Sequence, residues 1–383
     1  MAYPTAIGCG CLLGAGGASQ LHAAQYSVQP TFSWETDYDS NRDLQPATQG
    51  SEQAVLSADL LLQRSVENMQ IMLQPHFDVR RFSDAIWGPG DDRSLQGNFL
   101  WSGERSQLTL SGSIANQNTL TAELAETGIV DTNTRRRTSN VTAELDLART
   151  EEHLFYTQLG YLTSSYTGSP IIEELLPGYR YLSAGFGERF TLSEHFTLSA
   201  GLFGDTLHSE RAGSSSHEAG AQLEINYAHS ERLSFDVQLG ESRRSLYGST
   251  STGTNVVATA TRTFERGSLA LGYSRSLVPY GNGFLVLRQQ ANITAKRSLT
   301  SYLDAELTAL RIDNNEATVQ LGADRRFYDN LIGALSWRLA ETWTLRAEAS
   351  TSWSPPIAYP HTEHGWRAGL TMTWRPLQTV VSR

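Results

Sequence analysis

Apolar and polar residues alternate over long stretches of this chain. Between Ala54 and Leu62, Ala54, Leu56, Ala58, Leu60 and Leu62 are apolar, while Ser57, Asp59 and Gln63 fall among the intervening positions. Ala219, Ala221, Leu223, Ile225 and Tyr227 alternate with Gly220, Gln222, Glu224 and Asn226, and Leu303, Ala305, Leu307 and Ala309 with Tyr302, Asp304, Glu306 and Thr308. Successive side chains of a strand point to opposite faces, so each stretch predicts a strand with one apolar and one polar face.

A soluble sandwich alternates too, and the connections decide between the two. One class is short: Gly103-Glu104-Arg105-Ser106, Thr150-Glu151-Glu152-His153, Ser193-Glu194-His195, His229-Ser230-Glu231-Arg232, Phe264-Glu265-Arg266-Gly267, Lys296-Arg297-Ser298 and Ala340-Glu341-Thr342. The other is longer and rich in Gly, Ser, Thr, Asn and Pro, over residues 116–136, 166–178, 208–217, 247–254 and 354–363. Short turns on one rim and long loops on the other are the layout of outer-membrane barrels, the turns periplasmic and the loops extracellular. The turns recur at intervals of roughly 30 to 50 residues, enough for two spanning strands and a loop.

The pattern predicts an all-β, transmembrane, antiparallel up-and-down β-barrel of about eighteen strands, with sixteen as the next count. An even total requires residues 313–330, where Val319, Leu321 and Ala323 alternate, to extend a hairpin above the membrane. The last strand carries Trp366, Ala368, Leu370, Met372 and Trp374 on one face; Pro376 stops it, leaving a short tail over residues 376–383. Trp34, Tyr161, Tyr181, Tyr227, Tyr302 and Trp343 are candidates for the aromatic girdles at the two membrane surfaces, with ordinary strand propensity as the competing explanation.

Composition narrows the class further. The apolar content of 39% and mean hydropathy of -0.34 leave no run of the roughly 18 apolar residues that a spanning helix needs. A net charge of -10 without a basic stripe argues against nucleic acid as a partner. Cys9 and Cys11 are the only cysteines. Residues 1–24 lack charged side chains and run from Ile7, Leu12 and Leu13 into small residues, which predicts a signal peptide with cleavage after Ala24. The segment is atypical, since the first Arg is Arg42, and Ala6-Ile7-Gly8-Cys9 leaves a lipoprotein reading open. The barrel then occupies residues 25–375 as a single domain.

Four segments carry a family likeness. They are Trp34-Glu35-Thr36-Asp37-Tyr38-Asp39-Ser40-Asn41-Arg42, the stretch from Thr119 to Val130, the stretch from Tyr273 to Gly283, and Thr373-Trp374-Arg375-Pro376. Over almost the whole mature chain the sequence resembles the proteobacterial outer-membrane β-barrels associated with exopolysaccharide export and exosortase-linked gene clusters. The resemblance implies a barrel of about this size, with no cofactor, serving passage of a polysaccharide. It brings no catalytic residues with it.

Candidate chemistry lies on the polar faces. Opposite the lipid-facing series stand His76, Asp78, Arg80, Glu144, Asp146, Glu224, Asp236, Asp304, Glu306, Arg338, Arg346, Glu348 and Arg367. A Lys or Arg side chain at the bilayer midplane costs about 2–4 kcal/mol, so these charges are expected to line a wet lumen. Sixteen to eighteen strands enclose an aqueous channel. The expected function is a passive conduit, with a plugged structural barrel as the second reading and a lipid hydrolase as the third.

Of the nine His residues, His153, His195 and His229 fall at short turns, and His76, on one face with Gln74, Asp78 and Arg80, reads as a lumen-facing residue, with acid–base work as the remote alternative. His361 and His364 flank Thr362 and Glu363, a weak metal pair most simply read as solvated, so no metal is expected. Arg135, Arg136 and Arg137 are candidate contacts to lipopolysaccharide phosphate, with a solvated loop end as the alternative. The partners so implied are outer-membrane lipid and lipopolysaccharide, a polysaccharide, and periplasmic export components.

Overall fold

A computed structural model describes residues 24–44, 50–84, 90–120, 122–123, 134–168, 176–210, 215–246, 249–280, 283, 285–316, 326–354 and 362–382. The predicted signal segment before Ala24 therefore lies outside the described residues, as do His361 and the alternating residues Val319, Leu321 and Ala323.

The strands are β1 (Gln25–Asp39), β2 (Ser51–Val66), β3 (Met69–Phe82), β4 (Gly90–Ser102), β5 (Ser106–Asn118) and β6 (Arg135–Ala148). They continue with β7 (His153–Thr167), β8 (Tyr179–Ser193), β9 (Phe196–Ser209), β10 (Ser215–Ser230), β11 (Leu233–Leu246) and β12 (Ser249–Phe264). The last are β13 (Gly267–Pro279), β14 (Leu285–Ser298), β15 (Leu303–Glu316), β16 (Arg326–Ala340), β17 (Trp343–Ser354), β18 (Glu363–Trp374) and β19 (Thr379–Ser382). Each of the first seventeen pairs antiparallel with the next, and β1 pairs with β18 from Phe32↔Trp374 to Asp39↔Arg367. The eighteen-stranded barrel is therefore closed, with no free edge along its wall.

The turns largely fall where the alternation breaks. One expected turn is displaced: β14 runs through Ser298, and the chain reverses at Leu299–Tyr302. Glu67-Asn68 forms a further short turn that the sequence reading missed, because two residues between Val66 and Met69 hardly interrupt the alternation. Most of the expected loop 247–254 is strand, since Ser249–Thr254 pairs with β11. The tail is also structured: β19 pairs with the start of β1, from Gln25↔Ser382 to Val28↔Thr379. Pro376 thus interrupts the strand, which resumes beyond it. Opposite Pro75, whose nitrogen carries no hydrogen, the β2–β3 ladder skips Leu60 and Leu61.

The apolar faces point outward and are exposed, as a barrel in lipid requires and a water-soluble barrel does not tolerate. Leu56, Phe77, Ile114, Val141, Leu159, Leu182, Phe186, Leu307, Trp337 and Leu370 are all exposed, one after another round the wall. Toward the short-turn rim the belt ends in aromatic contacts, with Phe196 and Phe235 each 6.4 Å from Tyr227 and Trp343 6.2 Å from Trp374. Tyr181 is not part of a girdle: it lies on the face opposite exposed Leu182 and packs inside the mouth.

Two apolar clusters break the rule of a polar interior, and both lie at the long-loop end. Leu162, Tyr179, Leu207 and Leu246 point inward from β7, β8, β9 and β11 and are buried together with Leu277 and Leu285. Leu277 and Leu285 follow the outward parity of Tyr273 and Ile293, so they can reach that cluster only if the end of the β13–β14 hairpin folds over the mouth. The pairing agrees: β13 leaves β12 after Val256↔Arg275, whereas it stays with β14 to Pro279↔Leu285. Gly283, at φ +78°, sits at the tip against Ser209 and Pro177, in a conformation and a space that strain any larger residue. Across the mouth, Leu44 from the β1–β2 connection packs on Ile312 and Tyr328.

Candidate functional site

The inner face is built by the same alternation. Exposed Phe77 and Val79 fix the outward parity of β3 and turn His76, Asp78 and Arg80 inward. The same reasoning turns inward Glu144 and Asp146 on β6, Glu224 on β10, Asp236 on β11, Asp304 and Glu306 on β15, Arg338 on β16, Arg346 and Glu348 on β17, and Arg367 on β18. Asp304 and Arg338 stand near the short-turn end; most of the others are drawn into ion pairs along the wall.

The densest array straddles the closure of the barrel. His76 Nδ1 is 2.8 Å from Asp59 and its Nε2 3.0 Å from Asp78; Asp78 is 2.6 Å from Arg80, and Arg80 3.4 Å from Asp92. On β1, Asp37 receives Arg42 at 2.9 Å and Arg367 at 3.3 Å, and Arg367 also contacts Glu35. Further along, Arg346 reaches Glu348 at 3.1 Å and Glu306 at 3.5 Å. Asp37 and Asp92 are almost wholly buried, which pairing with guanidinium groups makes tolerable. Glu35, Asp37, Asp59 and Asp92 were missed in the sequence; counting in twos from exposed Trp34, Leu56 and Leu95 would have found them.

A second charged cluster joins Glu218, Arg244 and Asn255, with Arg244 Nε 3.1 Å from Glu218 and its other arm 2.6 Å from Asn255. Ser242 also donates to Glu218. Near the short-turn side of β7 the ring of Tyr156 lies over Gly187 and Gly201, where any side chain would collide with its hydroxyl, and Arg189 covers the ring at 5.8 Å.

Both ring nitrogens of His76 are spent on carboxylates. That leaves neither free to take a proton from a nucleophile, so the residue is a bridge in the wall. His153 pairs with Glu188 at 3.1 Å on the outer surface, His229 with the Tyr227 hydroxyl at 3.1 Å, and His364 with Thr351 at 2.7 Å.

The three consecutive arginines do not act as a unit. Arg136 is buried and donates to Ser164 at 3.1 Å, so it cannot meet a lipid headgroup and is removed from that role. Arg135 folds back on the Asp91 carbonyl at 2.6 Å and on Asp92 at 3.4 Å, while Arg137 is exposed. Alternation is the cause, since neighbours on one strand face opposite ways. Above the belt Tyr166 donates to Glu123 at 2.8 Å.

At the mouth, beneath Leu44, a cavity of about 280 Å³ opens between β1, β2, β3, β16, β17 and β18. Arg42, Arg80 and Arg367 reach it, each already paired with carboxylates of the wall.

A closed antiparallel barrel with an apolar exterior and a charged interior defines the molecule as an integral β-barrel of the bacterial outer membrane, since only helices and closed barrels satisfy the backbone within lipid. No family model and no curated protein matches the chain. Among solved structures it is similar to OccAB3 of Acinetobacter baumannii (10% identity, TM-score 0.49, covering 92% of this chain and 99% of that one). It is similar also to OccK5 (OpdH) of Pseudomonas aeruginosa (10% identity, TM-score 0.49, 92% and 98%) and to the siderophore receptor PirA of the same organism (12% identity, TM-score 0.44, 91% and 80%). The barrel and its membrane face stand on the strand pairing and the exposure pattern, independently of these likenesses.

Proposed function

We propose that the protein is a passive conduit for a hydrophilic solute or polymer, serving exopolysaccharide export. The observation that carries this reading is the composition of the inner face. From β17 round to β4 its charges are of both signs and neutralise one another along the wall, from Asp59–His76–Asp78–Arg80 to Glu35–Arg367–Asp37. Such a lining solvates a polar chain without holding one sign of ion at a constriction. The resemblance to exopolysaccharide-linked barrels supplies the cargo class, and periplasmic export components would meet the short-turn rim.

Purified, folded protein in planar bilayers is expected to give discrete conductance steps. Silence from a preparation that keeps its heat-modifiable gel mobility removes the conduit. The cargo is tested separately: a deletion strain is expected to secrete less polysaccharide, and unchanged secretion with intact conductance sinks that half alone.

A second reading, a plugged structural barrel, is favoured by the inward β13–β14 hairpin and by the Leu44 cluster opposite it. At the outer surface Arg137 is the side chain we assign to lipopolysaccharide phosphate. Arg137→Gln is expected to weaken binding to lipopolysaccharide several-fold, and an equal loss in Arg136→Gln with the fold intact would contradict the assignment.

A further inference from the structure

The cavity at the mouth combines three properties that together select a ligand. Its cations are already compensated: Arg42 by Asp37 at 2.9 Å, Arg80 by Asp78 at 2.6 Å and Arg367 by Asp37 at 3.3 Å and by Glu35. A free phosphate or carboxylate would have to displace a buried carboxylate to gain a partner, which disfavours anions.

Its edge holds an unanswered polar group. Asn330 donates through Nδ2 to the Tyr328 hydroxyl at 2.9 Å, and that hydroxyl lies 3.3 Å from Ser352. Asn330 lines the cavity, and its Oδ1 atom is buried without a hydrogen-bond partner. Whichever way the amide is turned, one of its two ends stays unanswered, and a group that both donates and accepts satisfies either. Hydroxyl is such a group, and Ser350 and Ser352 place two more hydroxyls beside it. Buried polar atoms seldom go unmatched in the working state of a protein.

The rest of the wall sets polar Asp39, Asn41 and Gln53 beside an apolar side formed by Leu44, Leu120 and the Phe82 and Tyr328 rings. A pyranose has this same duality, with hydroxyls round its edge and C–H groups on its faces. The volume of about 280 Å³ lies at the small end for ligand pockets, which suits one or two sugar units rather than a long segment.

We infer that this cavity is a binding site for a neutral sugar, engaging one or two residues of a glycan at the outer mouth through Asn330, Ser350 and Ser352. The inference rests on the conduit reading for its place on a path, but binding itself does not require conduction.

Titration calorimetry on the detergent-folded full chain tests it, with cellobiose, maltose and lactose as neutral probes and glucuronate and inorganic phosphate as anionic ones. At least one neutral disaccharide is expected to bind saturably, with affinity reduced about tenfold in Asn330→Leu and several-fold in Ser350→Ala. No binding by any of the three at tens of millimolar overturns the site, as does tighter binding of glucuronate or phosphate. Unchanged affinity in both variants also overturns it, and Ser350→Ala serves alone if Asn330→Leu does not fold. Binding without conductance would remove the conduit and leave the site; conductance without binding would do the reverse.

Discussion

Two walls of the same barrel solve the problem of facing water in opposite ways. From β17 through β18 and β1 to β4 the inner face is a mesh of charges, with Glu35, Asp37, Asp59, Asp78, Asp92 and Glu348 answered by His76, Arg80, Arg346 and Arg367. From β12 to β14, between Lys296 and Arg288, the inward positions are the uncharged Val257, Thr259, Thr261, Ser268, Ala270, Gly272, Ser274, Gln290, Asn292 and Thr294. The charged wall sits where the first and last strands meet, and Arg367 on β18 ties Glu35 and Asp37 on β1 across that junction. Outside, Phe32 stacks on Trp374 at 5.7 Å and Tyr38 meets Trp366 at 5.1 Å over the same junction. Much of the charge on this wall is therefore spent on closing the barrel.

The comparison breaks most sharply at Asp37. Asp37→Ala removes the carboxylate paired with buried Arg42 and one of the two that hold Arg367, and is expected to cost about 3–5 kcal/mol, read as a fall in the urea midpoint of folding into lipid vesicles. Asn292→Ala on the neutral wall should cost about 1 kcal/mol or less. Equal losses at the two positions would mean that the ion pairs do not close the barrel.

A pair of neighbours tests inside against outside. Leu307 is exposed mid-strand on β15, so Leu307→Arg should cost about 2–4 kcal/mol, while Thr308→Arg, turned to the lumen, should stay within about 1 kcal/mol. The same vesicle unfolding assay reads both, and a reversal of the order would invert the faces.

The mouth offers a functional contrast. At the tip of the β13–β14 hairpin a Cβ on Gly283 would stand 3.4 Å from the Ser209 Cβ, close to disulfide spacing. Gly283→Cys with Ser209→Cys is expected to cross-link in oxidant despite the positive φ, at about 1–2 kcal/mol of strain. Leu277→Asp should release the hairpin and raise single-channel conductance, whereas the cross-link holds it at or below the wild-type value. Identical conductance in the two states would show that the hairpin does not narrow the path.

Alternation made the belt legible. Exposed Leu56, Leu223 and Leu307 are the residues whose spacing predicted strands, and the inward charges opposite them followed by parity. The mouth was not legible for a physical reason: above the belt there is no lipid, so parity no longer reports polarity. Leu162, Leu207 and Leu246 look like errors in a polar face until Leu277 and Leu285 are brought over them by a bend that leaves no mark on the local pattern. Nor could the sequence show that Asp37 collects two arginines, one five residues along the chain and the other on the last barrel strand.

The short strand beyond Pro376 has a practical bearing on topology. Because Gln25 lies directly opposite Ser382 in an antiparallel ladder, the two ends of the described chain stand one strand apart on the same rim. A two-residue Asn-Gly link between them would complete a hairpin of the type that adjoining antiparallel strands accept. New ends could then be opened in any of the long loops. The barrel has, in effect, no privileged first strand, and a permuted chain starting at β6 should close round the same wall.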